Sequence, residues 1–122
     1  MTYSETAVAL HREGCNCCQA VIMSCCEKYG ITKEQAYAMG AFFGGGMRCG
    51  EVCGAVSGAL MALGLKYGDE NNRQCGKSVE FMQAFKQEFG TVLCREILEK
   101  HQKRLCPTLI EFAAKYLEDE RI

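Results

Sequence analysis

The sequence has little proline, no excess of either charge and no long uninterrupted hydrophobic run. A single proline, Pro107, and glycines that fall between periodic segments are typical of an all-helical protein. A net charge of −1 argues against a nucleic-acid or anionic-membrane partner, because such surfaces require a basic patch. No apolar stretch reaches the roughly 18 residues that would cross a bilayer, so we expect no membrane-spanning helix.

The N-terminal stretch MTYSETAVALHREG has no basic start, no long apolar run and no small-residue cleavage site. It therefore does not read as a signal peptide, and we expect a cytoplasmic protein with reduced thiols. Cysteine is the residue type in excess, with ten among 122 residues. Ten thiols in a reducing compartment indicate metal ligation, redox chemistry or core packing, ahead of structural disulfides.

Helix signals predict a single all-α domain, residues 1–122, built as a compact bundle of about six or seven helices. The central helix, about 51–67, is apolar almost all the way round, and such a helix is normally buried. Its Gly54 and Gly58 would let another backbone come close. Three helices are predicted before the central one, at about 4–12, 16–29 and 33–43. Three more are predicted after it. The first follows a polar connector at 68–76 and ends at residue 89, the second runs from a Thr91 cap to about 101, and the third runs from a Cys106 cap to about 119.

Three cysteines lie where the predicted helices expose unpaired backbone amides, and Cys17, at the start of the second helix, is one of them. Cys53 falls in the first turn of the central helix, and Cys106 falls at the start of the last one. Amides and the helix dipole at such positions stabilise a thiolate, whether free or bound to a metal. A small residue filling a tight helix crossing is an equally good interpretation of Cys53 and of Cys49, which precedes it.

The remaining cysteines give weaker signals. Cys15 and Cys18 form a C-x-x-C, but a thioredoxin-like interpretation needs a βαβ context that this chain lacks. Core packing is the better interpretation of Cys18 and Cys25, since cysteine is among the most buried residue types. Cys26 and Cys75 offer no argument beyond their presence.

Short metal motifs are absent from the sequence. There is no paired C-x-x-C spacing of a zinc module and no C-x-x-C-H, so we expect no covalent haem. The only histidines are His11 and His101. A nucleophilic cysteine–histidine enzyme would need one of them to meet a cysteine in space.

Four stretches together resemble the C-GCAxxG-C-C family, whose members are described as "putative redox-active" proteins. They are NCCQAV at 16–21, FGGGMRCGEVCGAVSGALMALGLKYG at 43–68, FGTVLCREIL at 89–98, and LCP before the final helix. The family label places glycine before its second cysteine, where this chain has Val52, but the neighbouring GGGM and GALMALG align Cys53 with it. The resemblance implies four recurrent cysteines, which fall on Cys17, Cys53, Cys94 and Cys106.

The resemblance implies a redox-active protein in which these four cysteines converge from different helices. They would cycle between dithiol and disulfide, or bind an iron–sulfur cluster or another thiolate-bound metal. Gly44, Gly45 and Gly46 would form a loop over the site, and Cys49 on that loop would be an accessory thiol. The electron-transfer partner is not identified by the sequence.

A second interpretation belongs to another class of protein, a helical scaffold or dimerisation module with its cysteines as core filler. The face that carries Gly54 and Gly58 would then form a helix crossing or the contact between the subunits of a homodimer. A weaker third interpretation is a small-anion binder that uses residues 44–46, although this loop lacks the Lys-Ser/Thr ending of a P-loop.

Overall fold

A computed structural model of the chain describes residues 1–69, 76–101 and 105–120, and within them the chain is an all-α bundle. The predicted fold class and helix number are therefore confirmed. Cys75 and most of the predicted connector lie outside the described residues. The α-helices are α1 (Tyr3–Arg12), α2 (Cys17–Met23), α3 (Lys33–Gly40), α4 (Gly54–Tyr67), α5 (Lys77–Phe89), α6 (Cys94–His101) and α7 (Cys106–Asp119).

Side-chain caps explain where the N-terminal helices begin. Thr2, two residues before the predicted cap, starts α1 through a capping box with Glu5. Thr32 starts α3 through a capping box with Gln35, a spacing that is typical of this cap in sequence. In each box the threonine oxygen accepts an amide N–H of the first turn, and the acidic or amide side chain accepts the cap's own N–H.

The second predicted helix is shorter than its sequence pattern indicates. It was expected to run through residues 16–29, but α2 ends at Met23 and a separate 3₁₀ turn follows at Cys26–Tyr29. The Ser24 hydroxyl donates to the Val21 carbonyl (2.6 Å), and such side-chain bonds to the backbone compete with helix continuation. Gly30 then closes the turn in the left-handed conformation, as its position predicts.

The most apolar helix, α4, is central as predicted, although it begins at Gly54 rather than near residue 51. It packs against α2, α5 and α7. A Cβ on Gly58 would lie 2.8 Å from the Cys18 carbonyl oxygen, so the glycine face is a close crossing with α2 in the same chain. No helix in the described part of the chain combines the length and apolar character needed to span a bilayer.

An aromatic layer joins α5 to the C-terminal helix α7. Phe85 of α5 packs edge to face on Phe112 of α7, with 5.9 Å between the ring centroids, and the Phe89 ring centroid lies 5.4 Å from that of Phe112. Phe81 packs edge to face on Tyr116 at 5.0 Å. These ring pairs fix α7 against the bundle, and so they also hold the start of α7 in place.

Candidate four-cysteine site

All four cysteines that the resemblance selected stand at helix starts. Cys17, Cys94 and Cys106 are the first residues of α2, α6 and α7, and Cys53 is the N-cap of α4. The sequence predicts Cys53 inside the first turn of a helix that begins near residue 51, whereas Cys53 is the N-cap. It predicts Cys106 as a cap, whereas Cys106 is the first helical residue. The expected cap of α6, Thr91, lies three residues before Cys94, so the sequence missed that α6 begins at Cys94.

A two-residue β-bridge holds the starts of α4 and α6 together. Val52 and Leu93 form this isolated antiparallel bridge. The Cys53 N–H donates to the Val92 carbonyl (2.8 Å), and the Cys94 N–H donates to the Glu51 carbonyl (2.7 Å). Since side chains alternate across extended backbone, Cys53 and Cys94 project from the same side of the bridge.

An exposed ion pair reinforces the same junction. Arg95 binds Glu51 through an Nη1–Oε1 contact of 2.9 Å. The pair links the first turn of α6 to the bridge strand beside it. Both side chains are about half exposed, so the pair orients the junction more than it stabilises the fold.

The start of α2 is fixed by hydrogen bonds and by close packing on α4. Asn16 caps α2 and also donates from Nδ2 to the Gly40 carbonyl (3.0 Å), which ties α2 to the end of α3. A Cβ on Gly54 would lie 3.0 Å from the Cys17 Cβ and 2.9 Å from the Phe43 carbonyl oxygen. Glycine at residue 54 therefore allows Cys17 to lie directly against the start of α4.

These supports bring the four thiols into one cluster. Cys17 and Cys106 share a hydrogen bond between their thiols, and Cys17 also interacts electrostatically with Cys53 and Cys94. Cys53 interacts in the same way with Cys94 and Cys106. Cys17 and Cys53 are buried, whereas Cys94 and Cys106 are partly exposed. The cluster thus has a buried side and a solvent side.

A histidine joins the cluster from α1. A ring nitrogen of His11 and the Sγ atoms of Cys17 and Cys106 all lie within 4.8 Å of one another. The sequence offered no basis for choosing His11 over His101, because the contact depends on how α1 packs against α2 and α7.

Hydrogen bonding, burial and the neighbouring thiols control the protonation of Cys17 and Cys53. The hydrogen bond with Cys106 raises the pKa of Cys17 well above its usual range, and burial and the neighbouring thiols raise it further. Burial raises the pKa of Cys53 to about 11, although the amides of Ala55 and Val56 act in the opposite direction. The predicted stabilisation by helix-start amides is therefore present at Cys53 but is outweighed.

The glycine loop, residues 44–50, packs against the cluster. A Cβ on Gly46 would lie 2.8 Å from the Cys94 Cβ, and Gly46 has a φ of +66°. Met47 and Arg48 also adopt left-handed φ values of 60° and 62°, which cost a non-glycine residue roughly 1–2 kcal/mol each. Cys49 is exposed, and its thiol donates to the Gly46 carbonyl (3.6 Å). The predicted contribution of this loop to cofactor binding stays a prediction.

A cavity of about 500 Å³ opens beside the solvent side of the cluster. Of the four clustered thiols, Cys94 and Cys106 line it, and Cys49 lies on its loop wall. Arg48 and Arg95 lie at the wall, where Arg95 is paired with Glu51, while Leu side chains from α6 and α7 provide an apolar floor. A molecule in this cavity would reach Cys94 and Cys106.

A sequence model of the family described as "Putative redox-active protein (C_GCAxxG_C_C)" matches residues 15–120. The chain belongs to this family. The matched residues include all four clustered cysteines, and the family description is consistent with a site built on thiols. Neither the curated proteins nor the solved structures contain a match to the chain.

The C_GCAxxG_C_C match does not include His11, which precedes residue 15. The clustered thiols are therefore within the part of the chain that the family describes, whereas the histidine beside them is not. His11 is the site residue that both the sequence patterns and the family match missed.

Three cysteines outside the cluster are core residues. Cys18 and Cys25 are buried, which confirms the packing interpretation, and Cys26 is buried as well. The Cys18 thiol contacts the Met61 Sδ at 4.0 Å, and the Cys25 thiol donates to the Ile22 carbonyl at 3.8 Å. Cys15 is partly exposed and packs at the edge of the core.

The buried thiols predict that the reduced protein loses stability in alkaline solution. Burial raises the pKa of Cys18 and Cys25 to about 12 from an ordinary value of 9.0. A raised folded pKa favours the neutral thiol in the folded state, so this stability is complete below pH 9 and is lost as the pH rises toward 12. We expect the free energy of unfolding to fall by up to about 1.4 kcal/mol per pH unit for each such thiol.

Urea unfolding in the presence of a reductant, between about pH 8 and pH 10.5, measures this loss. The Cys25→Ala variant serves as the control, because it removes one of the thiols and should reduce the slope. A free energy of unfolding that stays constant across this range would contradict the assignment of neutral buried thiols.

Proposed function

We propose that the protein is a thiol–disulfide redox protein in which Cys17 and Cys106 form a reversible disulfide. The observation that carries the proposal is the proximity of these two thiols, whose Sγ atoms lie within 4.8 Å of each other. Disulfide formation requires the two side chains to bring their sulfurs to the S–S bond length of about 2.05 Å. The redox description of the family supports the same chemistry.

The two thiols have different access to a substrate. Cys106 lines the cavity, whereas Cys17 is only 7% exposed. Cys106 is therefore the thiol that meets an incoming disulfide, and Cys17 is the resolving thiol behind it. The apolar floor and the Arg48 side chain of the cavity wall suit a partner with an apolar body and an acidic group near its disulfide.

The exchange balances in two steps. The Cys106 thiolate attacks one sulfur of the partner disulfide and forms a mixed disulfide, while the other partner sulfur leaves as a thiolate and takes up a proton. The Cys17 thiol loses its proton and attacks the Cys106 sulfur as a thiolate, and the second partner sulfur leaves as a thiolate that takes up a proton. Two electrons and two protons pass from the protein dithiol to the partner disulfide.

Equilibration of the metal-free protein in buffers of reduced and oxidised dithiothreitol tests this function. Thiols are then counted by alkylation and intact mass. We expect two of the ten thiols to be lost together in a single two-electron transition and to return on reduction. A protein that keeps all ten thiols, or loses them gradually without return, would contradict the proposal.

An all-thiolate metal centre is the second candidate, because four clustered cysteines match the usual complement of an iron–sulfur cluster. Anaerobic purification followed by an absorption spectrum and metal analysis separates the two. Stoichiometric iron with a thiolate-to-iron charge-transfer band would establish the cluster. Colourless, iron-free protein that still undergoes the two-electron transition would establish the dithiol.

The scaffold interpretation makes the opposite prediction for both measurements. The glycine face that suggested it is used by α2 within the chain, since Gly58 packs on Cys18 and Val21. A subunit contact is therefore not required to explain the glycines. If the thiols resist oxidation and the protein holds no metal, the scaffold function is the better account.

A further inference from the structure

The His11 side chain lies at the cluster but is not used by the dithiol chemistry. His11 lies in the last turn of α1, next to the tight turn at Glu13 and Gly14 that leads into α2. The Gly14 N–H donates to the His11 carbonyl (3.1 Å), and the Cys15 N–H donates to the Leu10 carbonyl (3.1 Å). These bonds fix the end of α1 close to Cys17.

The donor atoms of this group are those of a transition-metal site. An imidazole nitrogen and two thiol sulfurs, from three separate helices, lie within 4.8 Å of one another. Imidazole and thiolate together are ligands of Zn²⁺ and of related divalent ions such as Co²⁺. Donors of a tetrahedral zinc site stand about 3.5–3.8 Å apart, given Zn–S bonds of about 2.3 Å and Zn–N bonds of about 2.0 Å. Side-chain shifts of about 1 Å would therefore close this group around an ion.

We propose that reduced Cys17 and Cys106, together with His11, bind a divalent transition-metal ion of the zinc type. Cys53 and Cys94 interact electrostatically with Cys17 but are not among the three donors that lie within 4.8 Å of one another. The bound cation compensates the negative charge that two thiolates would otherwise place in a largely buried position. The donor set is mixed nitrogen and sulfur, unlike the all-thiolate set of an iron–sulfur centre.

The inference has a regulatory consequence that rests on the proposed function. Metal binding and disulfide formation require the same two sulfur atoms, so they exclude each other. The metal would protect the reduced state, and oxidation of Cys17 and Cys106 would release it. Metal binding itself does not require any disulfide exchange, so the two proposals can fail separately.

Titration of the reduced, chelator-treated protein with Co²⁺ under anaerobic conditions tests the site. We expect a thiolate-to-cobalt charge-transfer band and the intense visible d–d bands of four-coordinate Co²⁺, saturating at one ion per chain. The His11→Gln variant should bind Co²⁺ at least about tenfold more weakly and with altered d–d bands, because loss of a ligand costs no less than loss of an outer-sphere partner. Unchanged affinity and spectrum in this variant would overturn the proposal.

The chain offers a matched control in its other histidine. His101 ends α6, and its Nε2 is buried without a hydrogen-bond partner among the described residues. The His101→Gln variant makes the same chemical change and should leave Co²⁺ binding as in the unmodified chain. Equal weakening by both variants would overturn the assignment to His11.

A measurement on the unmodified protein covers the case in which His11→Gln does not fold. X-ray absorption spectra of the zinc-loaded chain distinguish nitrogen from sulfur ligands, and imidazole adds a characteristic outer-shell scattering. We expect at least one imidazole together with two or three sulfurs. A first shell of sulfur alone would overturn the role of His11, and failure to bind zinc would overturn the site.

Discussion

The Cys106→Ser variant is expected to lose reversible two-electron oxidation completely. Serine has nearly the same shape as cysteine and places a hydroxyl at the cavity wall where the thiol was, but it cannot form a disulfide. Cys17 would then lose its hydrogen-bonded thiol partner and remain buried at 7% exposure, away from an incoming disulfide. Thiol counting across a dithiothreitol redox series should show no paired loss of thiols.

The control for this variant is the same substitution at a core cysteine. Cys25 is buried, and its thiol donates to the Ile22 carbonyl (3.8 Å). A hydroxyl can make the same hydrogen bond, so Cys25→Ser should fold and keep the two-electron transition. If Cys106→Ser retains the transition, or if Cys25→Ser removes it, the assignment of the redox pair is wrong.

The Gly58→Ala variant is expected to lower the free energy of unfolding by about 1–3 kcal/mol, the usual cost of overpacking a core. The new Cβ would lie 2.8 Å from the Cys18 carbonyl oxygen and 3.1 Å from the Val21 Cβ. A carbonyl oxygen of α2 cannot move without moving that helix. The same shift would displace Cys17 from the cluster, so the redox transition should change together with stability.

Gly64 provides the matched control on the same helix. It is exposed, and a Cβ there would meet no atom within 4 Å. Because alanine is the better helix former, Gly64→Ala should raise the free energy of unfolding by about 0.5–1 kcal/mol. Urea unfolding of both variants measures the contrast. Changes of the same sign would contradict the close crossing of α2 and α4.

Features set by neighbouring residues could be predicted from the sequence. The capping box of Thr32 and Gln35, the left-handed cap at Gly30 and the apolar surface of α4 depend on local spacing. The all-α class follows from such signals because each one describes a single helix. The family resemblance then selected the four cysteines that the structure brings together, which spacing alone left undecided.

Features that depend on contacts between distant segments could not be predicted. The proximity of Cys53 and Cys94 depends on a bridge between Val52 and Leu93, which has no repeating pattern to reveal it. The place of His11 beside Cys17 depends on the packing of α1, and it has no motif. Met47 and Arg48 adopt left-handed backbone conformations that their residue types disfavour, so local preference does not predict them.

Protonation was the least predictable property of the site. Helix starts alone favour thiolates, but four helix starts that meet in a buried place bring thiols against each other. The pKa of Cys17 rises because the thiol that would lose its proton faces another thiol and little solvent. This rise in pKa follows from the convergence of the four thiols, which cannot be predicted from the sequence of any single helix.

Mapping the disulfide in the mildly oxidised, unmodified protein tests the central claim most directly. The oxidised chain is alkylated, digested without reduction and analysed by peptide mass spectrometry. We predict a linkage between Cys17 and Cys106 that disappears on reduction. A linkage between sequence neighbours instead, such as Cys15 with Cys18 or Cys49 with Cys53, with Cys17 and Cys106 both alkylated, would contradict the account.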